Sequence, residues 1–88
     1  MTTISYRAEI FREGDLYVSR CPDLDVSSFG DTVEEARDAL QEAVEAFLEG
    51  CELLGTLDEV LAECGFAMVD GVWSLRRRIV EEVTAAIP

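Results

Sequence analysis

Residues 6–49 read YRAEIFREGDLYVSRCPDLDVSSFGDTVEEARDALQEAVEAFLE, and this stretch decides the fold. Apolar and polar residues alternate over residues 4–12, a period-2 pattern that predicts a half-buried strand. The residues expected on its inner face are Ile4, Tyr6, Ala8 and Ile10. Gly14-Asp15 follows and predicts a tight turn into a second strand, LYVSRC, so the stretch opens with an antiparallel hairpin.

A third strand and a long helix complete this stretch. Pro22 lacks the N–H that a strand ladder needs, so the second strand should end near Cys21, and a short strand is predicted over residues 25–29. Thr32 and Glu35 have the spacing of a capping box, in which each side chain accepts a hydrogen bond from the other residue's amide. Apolar residues then recur at steps of three and four up to Gly55, which predicts an amphipathic helix on a three-stranded meander.

The remaining residues predict a short helix and a hairpin. Thr56 and Glu59 form a second capping box, opening a helix that Gly65 ends. Asp70-Gly71 suits a type I′ turn between strands over 66–69 and 72–75, with Trp73 as an anchor to the core. The tail 76–88 fits a β-branched edge strand and a short helix equally well. We therefore predict an α+β fold in one domain, residues 1–88, with a core over 4–54 and a C-terminal extension over 56–88.

Charge and composition limit the possible partners. The chain has 88 residues and a formal net charge of −12, with 19 acidic and 7 basic residues. Nucleic-acid binding needs clustered Lys and Arg, and an acidic protein is repelled by anionic membranes, so we expect neither as a partner. The N-terminus has the pattern of a strand, and the three cysteines are typical of buried thiols, so we expect a cytoplasmic protein. The net negative charge indicates that a charged partner would be basic.

The residues available for catalysis are few. The chain contains neither histidine nor lysine, so no Ser-His, Cys-His or Ser-Lys pair can form, and we expect no catalytic residues and no cofactor. Asp residues at strand ends could in principle bind magnesium, but turn and capping roles explain each one separately, so no metal is expected. These residues are Asp15, Asp23, Asp25 and Asp31. Arg20 beside Cys21 leaves open a reactive thiol, against a buried structural one.

Several short motifs, taken in order, resemble one protein family. They are Tyr17-Val18, Cys21-Pro22-Asp23-Leu24-Asp25, Gly30-Asp31-Thr32 and Glu34-Glu35-Ala36. Residues 6–49 thereby resemble the HicB-like antitoxin domain. The resemblance implies a partial RNase H-like fold, β-β-β-α-β, without a nuclease site, that masks a small basic HicA-like ribonuclease toxin acting on mRNA. The residues after Gly65 are too few for the family's DNA-binding module, so operator binding is not expected.

Three functions follow as hypotheses. The first is an antitoxin-like module that occludes a ribonuclease toxin through residues of the helix and the loop before it. These residues are Pro22, Asp23, Asp25, Asp31, Glu34, Glu35, Asp38, Glu42 and Glu45. The second is a homodimer or homotetramer with no toxin, assembled through its tail. Its interface would use Leu75, Ile79, Val80, Val83 and Ile87. The third, ranked last, is a metal-dependent nuclease.

Overall fold

A computed structural model describes residues 2–76 and 81–88 and shows an α+β fold. In chain order the elements are β1 (Thr3–Ile4), β2 (Glu9–Glu13), β3 (Leu16–Cys21), β4 (Val26–Gly30), α1 (Val33–Leu53), α2 (Leu57–Glu63), β5 (Phe66–Val69) and β6 (Val72–Leu75). Strands β2, β3 and β4 form the antiparallel meander, and a second sheet has the order β1-β6-β5. The predicted meander, long helix, short helix and C-terminal hairpin are thus confirmed.

The single strand predicted over residues 4–12 is wrong, because the chain divides it between the two sheets. Ile4 pairs in parallel with Trp73 of β6, and the Ser5 amide donates to the Trp73 carbonyl at 2.8 Å. Residues 5–8 belong to no strand, and Ala8, expected on the inner face, is exposed. Alternation shows which side of a strand is buried but not which strand lies beside it, so the change of partner was invisible in the sequence.

The third strand of the meander begins one residue later than predicted. The second strand ends at Cys21 as predicted, whereas the third begins at Val26, because Asp25 has a positive φ of 55° and lies in the turn. Within the sheet, Val18 is paired with Phe11 on one side and Phe29 on the other. This register sets which side chains share a face.

Helix α1 packs on the inner face of the meander through four buried residues. These are Ala36, Leu40, Val44 and Cys51, all on the predicted apolar side, whereas Leu54 follows the last helical residue and is exposed. Leu40 and Val44 join a core cluster with Cys21, Leu24, Leu61 and Phe66. The buried Ser19 hydroxyl of β3 donates to the Ala36 carbonyl at 2.7 Å, which ties the sheet to the first turns of the helix.

Both ends of α1 have recognisable caps. The Thr32 hydroxyl accepts a hydrogen bond from the Glu35 amide at 3.0 Å, as predicted. At the other end, the Gly55 amide donates to the Glu52 carbonyl and the Thr56 amide to the Cys51 carbonyl, a Schellman motif that needs the positive φ of Gly55. The predicted cap of α2 is wrong, because the Thr56 hydroxyl donates back to Cys51 and makes no cap hydrogen bond.

The C-terminal hairpin matches its prediction, with positive φ at both Asp70 and Gly71. Trp73 is half-buried and packs against the core cluster, as expected. Residues 81–88 are neither helix nor strand, so for this part of the tail both predicted conformations are wrong. The predicted interface residues Ile79 and Val80 lie outside the described residues.

Candidate protein-binding surface

The outward side of α1 carries seven carboxylates, which we call the acidic face. Its residues are Glu34, Glu35, Asp38, Glu42, Glu45, Glu49 and Glu52, all exposed. At 100° per residue these positions fall within about one third of the helix circumference, opposite the buried Leu40 and Val44. The five helix residues proposed from the sequence therefore share one surface, which Glu49 and Glu52 extend toward the C-terminal end.

The acidic face has little charge compensation. The two ion pairs found among residues 2–76 and 81–88 join Arg7 to Asp23 and Arg20 to Glu9, and neither involves α1. No basic residue occupies the last turn of α1. Like charges three and four positions apart cost a few tenths of a kcal/mol per pair, and carboxylates near a helix C-terminus oppose the macrodipole. The face therefore lowers the stability of the helix that carries it.

Two predicted site residues, Asp31 and Glu35, take part in the N-terminal cap of α1. The Glu35 carboxylate accepts a hydrogen bond from the Asp31 amide at 2.9 Å. This corrects the predicted capping box, in which Glu35 was to bond the Thr32 amide; the carboxylate reaches one residue further back. Both side chains remain exposed, so Asp31 and Glu35 lie at the end of the acidic face while also stabilising its start.

The turn between β3 and β4 holds the other predicted residues, Pro22, Asp23 and Asp25. The Asp23 side chain is only 5% exposed, and its Oδ2 lies 3.4 Å from an Arg7 guanidinium nitrogen. Asp25 is exposed, and Pro22 is half-buried. Strand β4 separates this turn from Asp31 by five residues, or roughly 17 Å. The loop residues therefore do not form one patch, and Asp23 has a structural role.

A groove beside the acidic face was not foreseen. It has a volume of about 570 Å³ and is lined by Thr2, Ile4, Glu45, Leu48, Glu49, Glu52 and Leu57. Its floor combines α1, α2 and β1, and β1 reaches this position only because it pairs with β6. The groove thus offers apolar contact bordered by three carboxylates.

The thiols are poorly suited to chemistry. Cys21 is fully buried, and burial raises the pKa of its thiol above the usual 9.0. Backbone hydrogen bonds from Leu24 and Asp23 oppose this rise, and the Arg7 charge opposes it least. Burial likewise raises the pKa of Cys64. A nucleophilic cysteine needs a lowered pKa and access to solvent, so the reactive reading of Cys21 is not supported. Within residues 2–76 and 81–88, no three His, Cys, Asp or Glu side chains are placed to hold a metal ion.

The meander has a second surface that the sequence analysis missed, here called the outer sheet face. It lies opposite α1 and comprises Glu9, Phe11, Glu13, Leu16, Val18, Arg20, Ser27 and Phe29. Phe11, Val18 and Phe29 form a row across the three strands, with Phe29 64% and Phe11 44% exposed. Alternation along β2 and β4 was the available signal, since both phenylalanines fall on the side away from the core.

No helix in the described parts of the chain is long and apolar enough to cross a membrane. Comparison with protein-family models, with curated proteins and with solved structures found no match to this chain.

Proposed function

We propose that the chain is a cytoplasmic, non-enzymatic module of the HicB-like antitoxin type, which binds a small basic mRNA-degrading ribonuclease and occludes it. The observation that carries this proposal is the acidic face, an exposed row of seven carboxylates without ion-pair partners among residues 2–76 and 81–88. The face lowers the stability of α1, and binding a cationic surface would offset that cost.

Electrostatics favours a basic protein over other partners. A net charge of −12 repels nucleic acid and accelerates encounter with a cationic protein, most strongly at low ionic strength. The groove beside Glu45, Glu49 and Glu52 adds apolar contact through Leu48 and Ile4. Such a surface suits a basic partner segment that also carries apolar side chains, because both kinds of contact can form together.

The positions of the family-like motifs support the antitoxin class. Four strands precede α1, and three of them, β2, β3 and β4, form the meander that the resemblance implies; β6, which follows the helices, lies parallel to β1 in the second sheet. Gly30, Asp31 and Thr32 form the junction between β4 and α1: an added Cβ at Gly30 would meet α1 backbone, Asp31 bonds Glu35, and Thr32 caps the helix. These motifs therefore hold α1 in place on the meander. The proposed basic character of the partner is inferred from the acidic face alone.

The test is affinity capture from native lysate at low salt, followed by an RNA-cleavage assay of whatever binds in stoichiometric amount. The wild-type chain should retain a small basic protein that salt releases, that degrades mRNA, and that loses this activity when the chain is added back. Reversing two charges, Glu42→Arg with Glu45→Arg, should lower the association rate about tenfold at low salt, with little difference at about 0.5 M salt.

The matched control is Glu59→Arg with Glu63→Arg, which makes the same change in net charge on exposed residues of α2. It should retain capture and inhibition if the acidic face is the binding surface. Equal weakening by both double variants would mean that only net charge matters. A captured protein without ribonuclease activity, or association of the Glu42/Glu45 variant at the wild-type rate in low salt, would refute the proposal.

A second candidate is a toxin-free homo-oligomer assembled through the tail. Its support is the exposure of Val83 (85%) and Ile87 (92%), whereas Leu75 is half-buried against the protein's own core. Val83→Ser with Ile87→Ser should then give monomers. A wild-type oligomer whose mass this variant leaves unchanged would contradict tail assembly.

A further inference from the structure

The groove beside the acidic face has an apolar floor, formed by Ile4 of β1, Leu48 of α1 and Leu57 of α2. All three side chains are half-buried against the core, and the part of each that stays exposed lines the groove. The volume of about 570 Å³ falls within the range of small binding sites. Apolar surface gathered in a concave site is typical of a surface that a ligand or another protein covers.

The rim of this groove is a stripe of three carboxylates on α1, those of Glu45, Glu49 and Glu52. They follow one another at steps of four and three residues, which places them within about 60° of each other around the helix and over about 10.5 Å along it. None of the three has an ion-pair partner in the described part of the chain. The rim therefore presents uncompensated negative charge directly beside the apolar floor.

The charge of the rim selects the chemistry of the occupant. A second copy of the chain would bring a net charge of −12 against the rim, so repulsion disfavours it. A metal ion does not fit either, because among the described residues no three His, Cys, Asp or Glu side chains are placed to hold one. A protein segment that carries both cations and a large apolar side chain can contact the rim and the floor at once.

The spacing of the rim favours a helical segment over an extended one. Cations at positions i, i+4 and i+7 of a helix lying parallel to α1 also span about 10.5 Å, whereas three cations on one side of a strand span about 13 Å. An apolar residue at i+3 of that helix adjoins the cations, as Leu48 adjoins the carboxylates. We propose that the groove binds one basic amphipathic helix of the partner, with its cations on the rim and one large apolar side chain on the floor. This inference takes the identity of the partner from the proposed function.

The experiment measures binding of a fluorescently labelled synthetic peptide to the full chain, by anisotropy at low salt. The peptide is an alanine-based helix of about 15 residues with arginines at i, i+4 and i+7 and a leucine at i+3. It should bind, and replacing its leucine by alanine should weaken binding about tenfold, because the groove floor loses its apolar contact. A peptide of the same composition, reordered so that its arginines lie on different sides of the helix, should also bind about tenfold more weakly.

Two variants of the protein locate the site. Glu49→Gln with Glu52→Gln removes two rim charges while keeping the size of the side chains, and it should weaken binding of the parent peptide about tenfold. The matched control, Glu59→Gln with Glu63→Gln, removes two charges from exposed residues of α2 and should bind like wild type. Equal weakening by the two variants, equal binding of the three peptides, or no binding of the parent peptide at about 1 mM would overturn the inference.

The peptide contains no ribonuclease, so this experiment separates the groove from the antitoxin function. Peptide binding with the expected preferences, together with a lysate capture that yields no ribonuclease, would support the groove and refute the antitoxin function. Capture of an inhibited ribonuclease whose dissociation rate is the same from wild type and from the Glu49/Glu52 variant would support the function and overturn the groove.

Discussion

Substituting Gly30 by alanine should destabilise the fold at the junction between the meander and α1. A Cβ added at Gly30 would lie 2.5 Å from the Ala36 amide nitrogen, 2.7 Å from the Glu35 carbonyl carbon and 2.7 Å from the Glu35 Cβ. Two of these three atoms are backbone atoms in the first turn of the helix. They cannot move aside as a flexible side chain would, so the helix itself must move by about 1 Å to restore van der Waals separation.

The magnitude follows from what that movement disturbs. Overpacking of this kind costs about 1–3 kcal/mol. The shift also strains the buried hydrogen bond from Ser19 to the Ala36 carbonyl, now 2.7 Å long, which contributes about 1 kcal/mol. Alanine recovers about 0.4–1 kcal/mol by restricting the unfolded chain. The expected net loss in unfolding free energy is therefore about 1–3.5 kcal/mol.

Urea unfolding followed by circular dichroism measures this loss, with Gly50→Ala as the matched control. Gly50 lies inside α1, and a Cβ there would meet nothing within 4 Å. Alanine should therefore stabilise the protein at Gly50 by about 0.5–1 kcal/mol, through helix propensity alone. The same chemical change thus has opposite predicted signs at two positions. If Gly30→Ala loses less than about 0.5 kcal/mol, or if both variants shift together, the close approach of β4 to α1 is wrong.

Two further predictions concern the same interior. Ser19→Ala should lower the unfolding free energy by about 1–2 kcal/mol, because it removes a buried hydrogen bond to the Ala36 carbonyl. The control Ser27→Ala, on the exposed side of β4, should change the urea midpoint little. Equal effects of the two substitutions would argue against the Ser19 contact. Burial raises the pKa of Cys21 and Cys64 above 9.0 and of Tyr6 above 10.0, so the folded chain keeps these protons at pH values where the unfolded chain loses them. Stability should be full below about pH 9 and decline above it, with Cys21→Ala weakening the decline; a urea midpoint that is constant from pH 8 to 10.5 would contradict this.

Local signals in the sequence predicted most of the elements. Pro22 marked the end of β3, Thr32 the start of α1, and Asp70-Gly71 the C-terminal turn, because each residue acts on backbone within a few positions of itself. The apolar spacing along α1 likewise predicted the buried Leu40 and Val44. Features fixed by neighbouring residues in the chain were thus available before the structure.

Features that depend on residues distant in the chain could not be predicted from the sequence. The predicted single strand is divided into β1 and β2 because residues 3–5 pair with β6, some seventy positions later in the chain. No local sequence pattern indicates this pairing. Thr56 was expected to cap α2, but its hydroxyl instead donates to the Cys51 carbonyl at the end of α1. The candidate site divides in the same way: helical spacing placed Glu34, Asp38 and Glu42 together, whereas the pairing of Asp23 with Arg7 required the folded chain.

The acidic face and the outer sheet face differ in charge. Three residues of the acidic face have local structural roles: Glu35 caps α1, Glu34 lies in the first turn where the helix dipole favours it, and Glu45 accepts a hydrogen bond from Gln41. Repulsion among the carboxylates nevertheless lowers helix stability, and solubility and partner binding are the two uses that would offset this cost. Solubility alone would be served by charges spread over the molecule, including the outer sheet face, where Phe29 is instead exposed. Seven of the 19 acidic residues lie in one row on α1, while Phe11 and Phe29 stay exposed on the opposite side of the meander. Screening by salt should weaken capture of a basic protein by the acidic face, whereas a purely solubilising role predicts no capture at any salt concentration, so one salt titration can distinguish the two.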